Sequence, residues 1–95
     1  MAKLHDVAQY INECYGMISK DHLQCLLFFC QAWSLKIYGR KMFEEDVNEL
    51  NCYDVLMPVQ IDDGNSDNLG ANELAMINDI LEAYGDVCFD RSMVN

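Results

Sequence analysis

Residues 22 to 39 read HLQCLLFFCQAWSLKIYG, and this stretch constrains the fold more than any other part of the chain. A membrane helix needs about 20 consecutive apolar residues. Asp21, Gln24, Gln31 and Lys36 interrupt the run, which excludes a span. At about 100° per residue, Leu23, Leu26, Leu27, Cys30, Ser34 and Ile37 share one face of a helix. Phe29 and Trp33 flank that face, while Phe28 and Leu35 reach the far side. A helix that is apolar nearly all round is one enclosed by neighbours. The pattern therefore predicts a buried central helix over about residues 20–38. Ser19 is placed to cap its first amides, Asp21 lies in its first turn, and Ile18 with Leu23 fits a hydrophobic staple. Gly39 supplies the stop, with Lys36, Arg40 and Lys41 near the negative end of the helix dipole.

Two more helices are expected beside it. Leu4, Val7, Ala8, Ile11, Cys14 and Tyr15 recur at helical spacing over 4–15, and Gly16 closes the run. Leu74, Ile77, Leu81 and Tyr84 do the same over 71–84, with Gly85 expected just beyond the helix end. The tail, DVCFDRSMVN, adds a last helical turn or lies loosely. Between these helices, KMFEEDVNELNCYDVLMPVQI lacks a helical period. Met42-Phe43 and Val47 to Leu50 are expected to pair as a short β-hairpin (about 42–51) across Glu44-Glu45-Asp46. A short helix or extended segment follows around 55–61, where Pro58 limits regular structure. Residues 62 to 70, DDGNSDNLG, read as a surface loop. The expectation is a mainly α protein: one domain over 1–95, a small helical bundle with a short hairpin. A chain of 95 residues has room for one core.

Charge narrows the function classes. The chain carries 16 acids against 6 bases, a net charge of −10. Residues 42 to 90 hold 13 of those 16 acids and no Lys or Arg. Such a surface repels phosphates and anionic membranes, so neither direct nucleic-acid binding nor membrane association is expected. Its natural charged partner is a protein with a basic surface. The five cysteines are odd in number, form no C-x-x-C, and have no ligand-like spacing with His5 or His22. They are read as free and mostly buried thiols, with no metal and no cofactor. The N-terminus, MAKLHDVAQY, lacks the apolar core of a secretory signal. These features point to the cytoplasm.

A longer pattern then emerges. Ile18-Ser19, the block from Leu23 to Leu35, and Tyr38-Gly39-Arg40-x-Met42-Phe43-x-Glu45 resemble the Panacea domain family, which includes SocA-like antitoxins and phage-associated proteins. The family's usual text is close to ITPLKLQKLLYFAQGWYLALYGRPLFDE. Val7-Ala8-x-Tyr10-Ile11 also fits, and Asn72 to Gly85 resembles the family's later helix. The likeness covers roughly residues 6–86 and is dense between 18 and 45. Where the family carries Trp, Gly and Pro this chain has Asn51, Asp54 and Val55, keeping Tyr53 and Pro58. His22 and Cys25 stand in place of the family's common lysines, and the family's C-terminal segment is not expected here. The resemblance implies a mainly helical fold with a small hairpin. It also implies a role in neutralising a toxin by direct contact or delivering it for degradation.

No enzyme is expected. Serine chemistry needs a base and an orienting acid, and neither histidine sits in such a context. Glu44, Glu45 and Asp46 are adjacent acids in a turn, which is ordinarily a solvated face. Asp62 to Asp67 resembles part of a calcium loop but lacks its full spacing and its closing Glu. The expected function is a small acidic inhibitor of antitoxin type. Its partner contacts would be Phe43, Glu44, Glu45, Asp46 and Glu49, with the acids steering encounter and Phe43 anchoring an apolar centre. The alternative is a phage-encoded counter-defence protein, an anti-CRISPR-like nucleic-acid mimic that blocks a host nuclease complex.

Overall fold

The computed structural model describes residues 2–16, 18–50, 52–53, 60–61 and 64–93, with residues 52, 53, 60 and 88–93 described by backbone alone. Three helices dominate them: α1 (Leu4–Tyr15), α2 (Lys20–Tyr38) and α3 (Ala71–Met93). A two-residue antiparallel pair joins β1 (Cys52–Tyr53) to β2 (Gln60–Ile61), with Cys52 opposite Ile61 and Tyr53 opposite Gln60. The class is mainly helical, in line with the periodicity of the sequence. The segment around 55–61 lies outside the described residues except for Gln60 and Ile61.

Local chemistry sets the helix limits. The Ser19 side chain accepts the His22 amide at 3.1 Å, which supplies the N-cap of α2. Gly39 ends α2 in the left-handed conformation at φ 70°, donating its amide to Leu35. Gly16 ends α1 at φ 74°. The start of α1 is different, because Lys3 makes no side-chain cap. Glu45 accepts the Leu4 amide at 3.3 Å instead, so a carboxylate 41 residues away meets the positive end of the helix. Glu73 caps α3 from inside, reaching back to the Gly70 amide at 2.9 Å.

The core is a single cluster. Leu4, Val7 and Ile11 of α1, Leu23, Leu26, Leu27 and Cys30 of α2, and Ile77 and Ile80 of α3 are buried together with Ile18 and Phe43. Tyr84 ties α3 to α2 by stacking on Phe29 (4.5 Å between ring centres) and meeting Trp33 edge-on. The 64–69 loop packs along α1. Asp6, itself buried, accepts the Asn65 amide at 2.9 Å, and Ser66 donates to Glu13 at 2.7 Å.

Four expectations are corrected. The hairpin over 42–51 does not form among its described residues. Gln31 of α2 occupies the partner strand's role: its carbonyl oxygen accepts the Met42 and Phe43 amides, and its amide donates to the Phe43 carbonyl at 2.7 Å. With those backbone groups satisfied, Asp46 turns the chain by accepting the Asn48 amide, and Val47–Glu49 forms one 3₁₀ turn. Second, α2 is buried on one face rather than all round: Phe28 is 54% exposed and Leu35 45%. Two helices and one extended segment are too few to enclose a third helix.

Third, α3 runs through Gly85 to Met93, taking in most of the tail. Gly85 is a close-approach residue, not a terminator. A Cβ there would collide with the Tyr15 hydroxyl, and its carbonyl lies 3.1 Å from His22 Nε2. Fourth, the cysteines are not all free thiols. Cys14 is exposed and free and Cys30 buried and free, but Cys25 is disulfide-bonded. Burial pushes the Cys30 thiol up to about 12, which leaves it an unreactive core residue.

Candidate interaction surface

The expected contact residues divide sharply. Phe43 has no exposed surface and lies among the core side chains. It is therefore corrected from surface anchor to core residue: the Gln31 clamp turns the backbone of 42–43 against α2 and drives the ring inward. Glu45 is half-buried and occupied at the start of α1, which takes it out of the presented set. Glu44, Asp46 and Glu49 are exposed. They share a short stretch whose two ends are fixed, by Met42 and Phe43 on Gln31 and by Val47 and Leu50 in the core. The clamp holds these three acids outward on a defined backbone.

The structure adds a second acidic group that sequence reasoning did not single out. Asp79, Glu82 and Asp86 are exposed on α3. At about 100° per residue they fall within about 60° of one another, forming a ridge along the outer side of that helix. The spacing i, i+3, i+7 is legible in the sequence. An α3 that ends at Tyr84 hides it, because Asp86 then lies off the helix. Asp54, Asp62 and Asp63 lie outside the described residues, as does the side chain of Asp90.

Two of the six basic residues share a cleft. Arg40 and Lys41 line an open cleft of about 700 Å³ between the end of α2 and the start of α3, with Tyr38, Asn72, Glu73 and Met76. The Ser34 hydroxyl in that cleft donates to the Arg40 carbonyl at 2.8 Å, so it serves the backbone turn after Gly39. Across the molecule, His22 is buried where α1, α2 and α3 meet. Its ring lies edge-on to Tyr15 at 5.1 Å. Burial lowers its pKa below the ordinary histidine value, and the Gly85 carbonyl opposes that shift. Burial likewise raises Tyr10, whose hydroxyl donates to Asn78 on α3 at 2.6 Å. Glu13 is lowered by the hydrogen bonds from Ser66 and Gln9.

Among the described residues, no group of three or more His, Cys, Asp or Glu side chains is arranged to hold a metal ion. The described part of the calcium-like loop is spent on structure. Asn65 caps the turn at Asp67, and the loop's amide and hydroxyl groups bind Asp6 and Glu13. No helix of the described residues is long and apolar enough to cross a membrane. The chain matches no protein-family model, no curated protein and no solved structure. None of these comparisons supports the Panacea resemblance expected from the motifs between residues 6 and 86.

Proposed function

We propose that the chain is a small acidic inhibitor of antitoxin type, one that binds and neutralises a toxin or effector protein through carboxylates of its later half. One observation carries this reading: from residue 42 to residue 90 there are 13 acids and not one Lys or Arg. Self-repulsion on that scale works against compactness, and a basic partner relieves it. The Panacea-like motifs support the same reading. The contacts are Glu44, Asp46 and Glu49, with the α3 ridge of Asp79, Glu82 and Asp86 as a second patch. Phe43 and Glu45 act behind the first patch, one by packing and one by capping α1.

The test is capture from a bacterial host followed by binding of the recovered protein across a salt series. Screening shortens the reach of exposed charges to about 8 Å at physiological salt, so affinity should fall steeply above it. Reversing Glu44, Asp46 and Glu49 to lysine, or Asp79, Glu82 and Asp86 to lysine, should weaken binding at least about tenfold with helicity intact. Binding that is indifferent both to salt and to the two triple reversals refutes the proposal.

The regular ridge on α3 also suits the second reading, a counter-defence protein that mimics nucleic acid toward a host nuclease complex. Carboxylates three and four residues apart on one side of a helix imitate a phosphate row better than a loop does. Restored phage plating or plasmid transfer in a host carrying such a complex, lost on reversal of the ridge alone, would select this reading over the first.

A further inference from the structure

We propose that the open face of α2 pairs with the same face of a second copy of this chain, the two helices running antiparallel. Asp21, Phe28, Ala32 and Leu35 fall within about 60° on the helix, and all four are exposed. Their spacing of seven, four and three residues is that of a coiled-coil seam. Along most of its length the neighbouring sides of α2 are taken, since Tyr84 of α3 covers Phe29 and Trp33 and the 42–43 backbone covers Gln31, while Ile37 and Tyr38 in the last turn are exposed. The seam is therefore an apolar strip that the described residues of this chain do not cover.

Two features select a second copy as its occupant. First, residues 22 to 43 contain no Asp or Glu, although the chain as a whole carries −10. This is a stretch where two such molecules can approach without acid facing acid. Second, the charges along the strip are self-complementary when reversed. Asp21 stands at one end of α2, and Lys36 stands at the other. In the antiparallel register that sets each Phe28 over Ala32 of the other copy, each Asp21 comes within a turn of Lys36 of the other copy. Large then faces small and acid faces base, and the opposed helix dipoles add to the match. A parallel pair would set Asp21 on Asp21 and Lys36 on Lys36.

The expected association is weak. A 19-residue helix is about 28 Å long, and a pair of that length buries less than the roughly 1,200 Å² typical of stable complexes. Sedimentation equilibrium should show the mass rising from 10.9 kDa toward twice that value between about 1 µM and 1 mM. Phe28→Glu should remain monomeric over the whole range. The variants Asp21→Lys and Lys36→Asp should each self-associate at least about tenfold more weakly than the parent, and the two mixed should form a heterodimer. A parent chain that is monomeric throughout, or a dimer that survives Phe28→Glu, overturns the proposal. If Phe28→Glu loses helicity, the mixing experiment decides, because it changes only exposed charges: a heterodimer supports the pairing and its absence overturns it. None of these outcomes bears on the acidic contacts proposed above, which lie on other segments.

Discussion

Replacing Gln31 with alanine tests whether one side chain holds the 40–50 segment to the bundle. In the native chain it makes three contacts with that segment: the Met42 amide at 2.8 Å, the Phe43 amide at 3.3 Å and the Phe43 carbonyl at 2.7 Å. Two of these are short and one is long, so roughly two full hydrogen bonds are lost, each worth about 0.5–1.5 kcal/mol net. Truncation also leaves backbone groups of buried residues without a partner, and each costs about 1–3 kcal/mol if water cannot reach it. Gln31 is half-buried, so some water enters and the larger figure is not reached. The expected loss is about 2–3 kcal/mol. A domain of 95 residues has a total of roughly 5–14 kcal/mol, so this is a large share. Urea unfolding followed by Trp33 fluorescence and helical circular dichroism should show the midpoint falling with the slope unchanged. On heating, the melting temperature should drop by roughly 10–20 °C. A loss below about 0.5 kcal/mol would mean the segment is held by Phe43 packing alone, and the clamp argument fails.

Two other perturbations test the junction of the three helices. Gly85→Ala alone should be neutral to destabilising, because the new methyl meets the Tyr15 hydroxyl. In a Tyr15→Phe background it should stabilise by about 0.5–1 kcal/mol, the ordinary helix preference of alanine over glycine. The two changes measured as a thermodynamic cycle should therefore be coupled, and simple additivity would refute the close-approach reading. His22 has a folded-state pKa below its unfolded value, so the unfolded chain takes up the proton first. Stability is then fully present above about pH 6.5 and is lost as pH falls through the lowered folded value. A His22→Gln variant should flatten the slope of stability between about pH 7 and pH 5, and an unchanged slope would remove His22 as its source.

How far the sequence reached depends on the range of the interaction that decided each feature. Helix α2 was legible from residue 20 to residue 38 because its determinants are local: a serine cap three residues from the amide it serves, a glycine for the left-handed stop, and apolar side chains at helical spacing. The same holds for α1 and its closing Gly16. The acidic later half and the lack of membrane-spanning length among the described helices are also properties of residue order alone.

What residue order left undecided was settled by contacts between residues far apart. Gly85 has the signature of a helix end, yet packing against Tyr15 and His22 carried α3 through it, since only a residue without a side chain fits there. Glu45 looked like one of three equivalent turn acids until the bare start of α1 arrived beside it. Phe43 and Phe28 are the same residue type, and one became core and the other surface according to which side of α2 its neighbours covered. Local order selects which helices form, and it sets both ends of α2 and the stop of α1. Only the assembled bundle determines which apolar face closes, which carboxylate is spent on structure, and which remain for another molecule, because those outcomes depend on distances that no stretch of sequence contains.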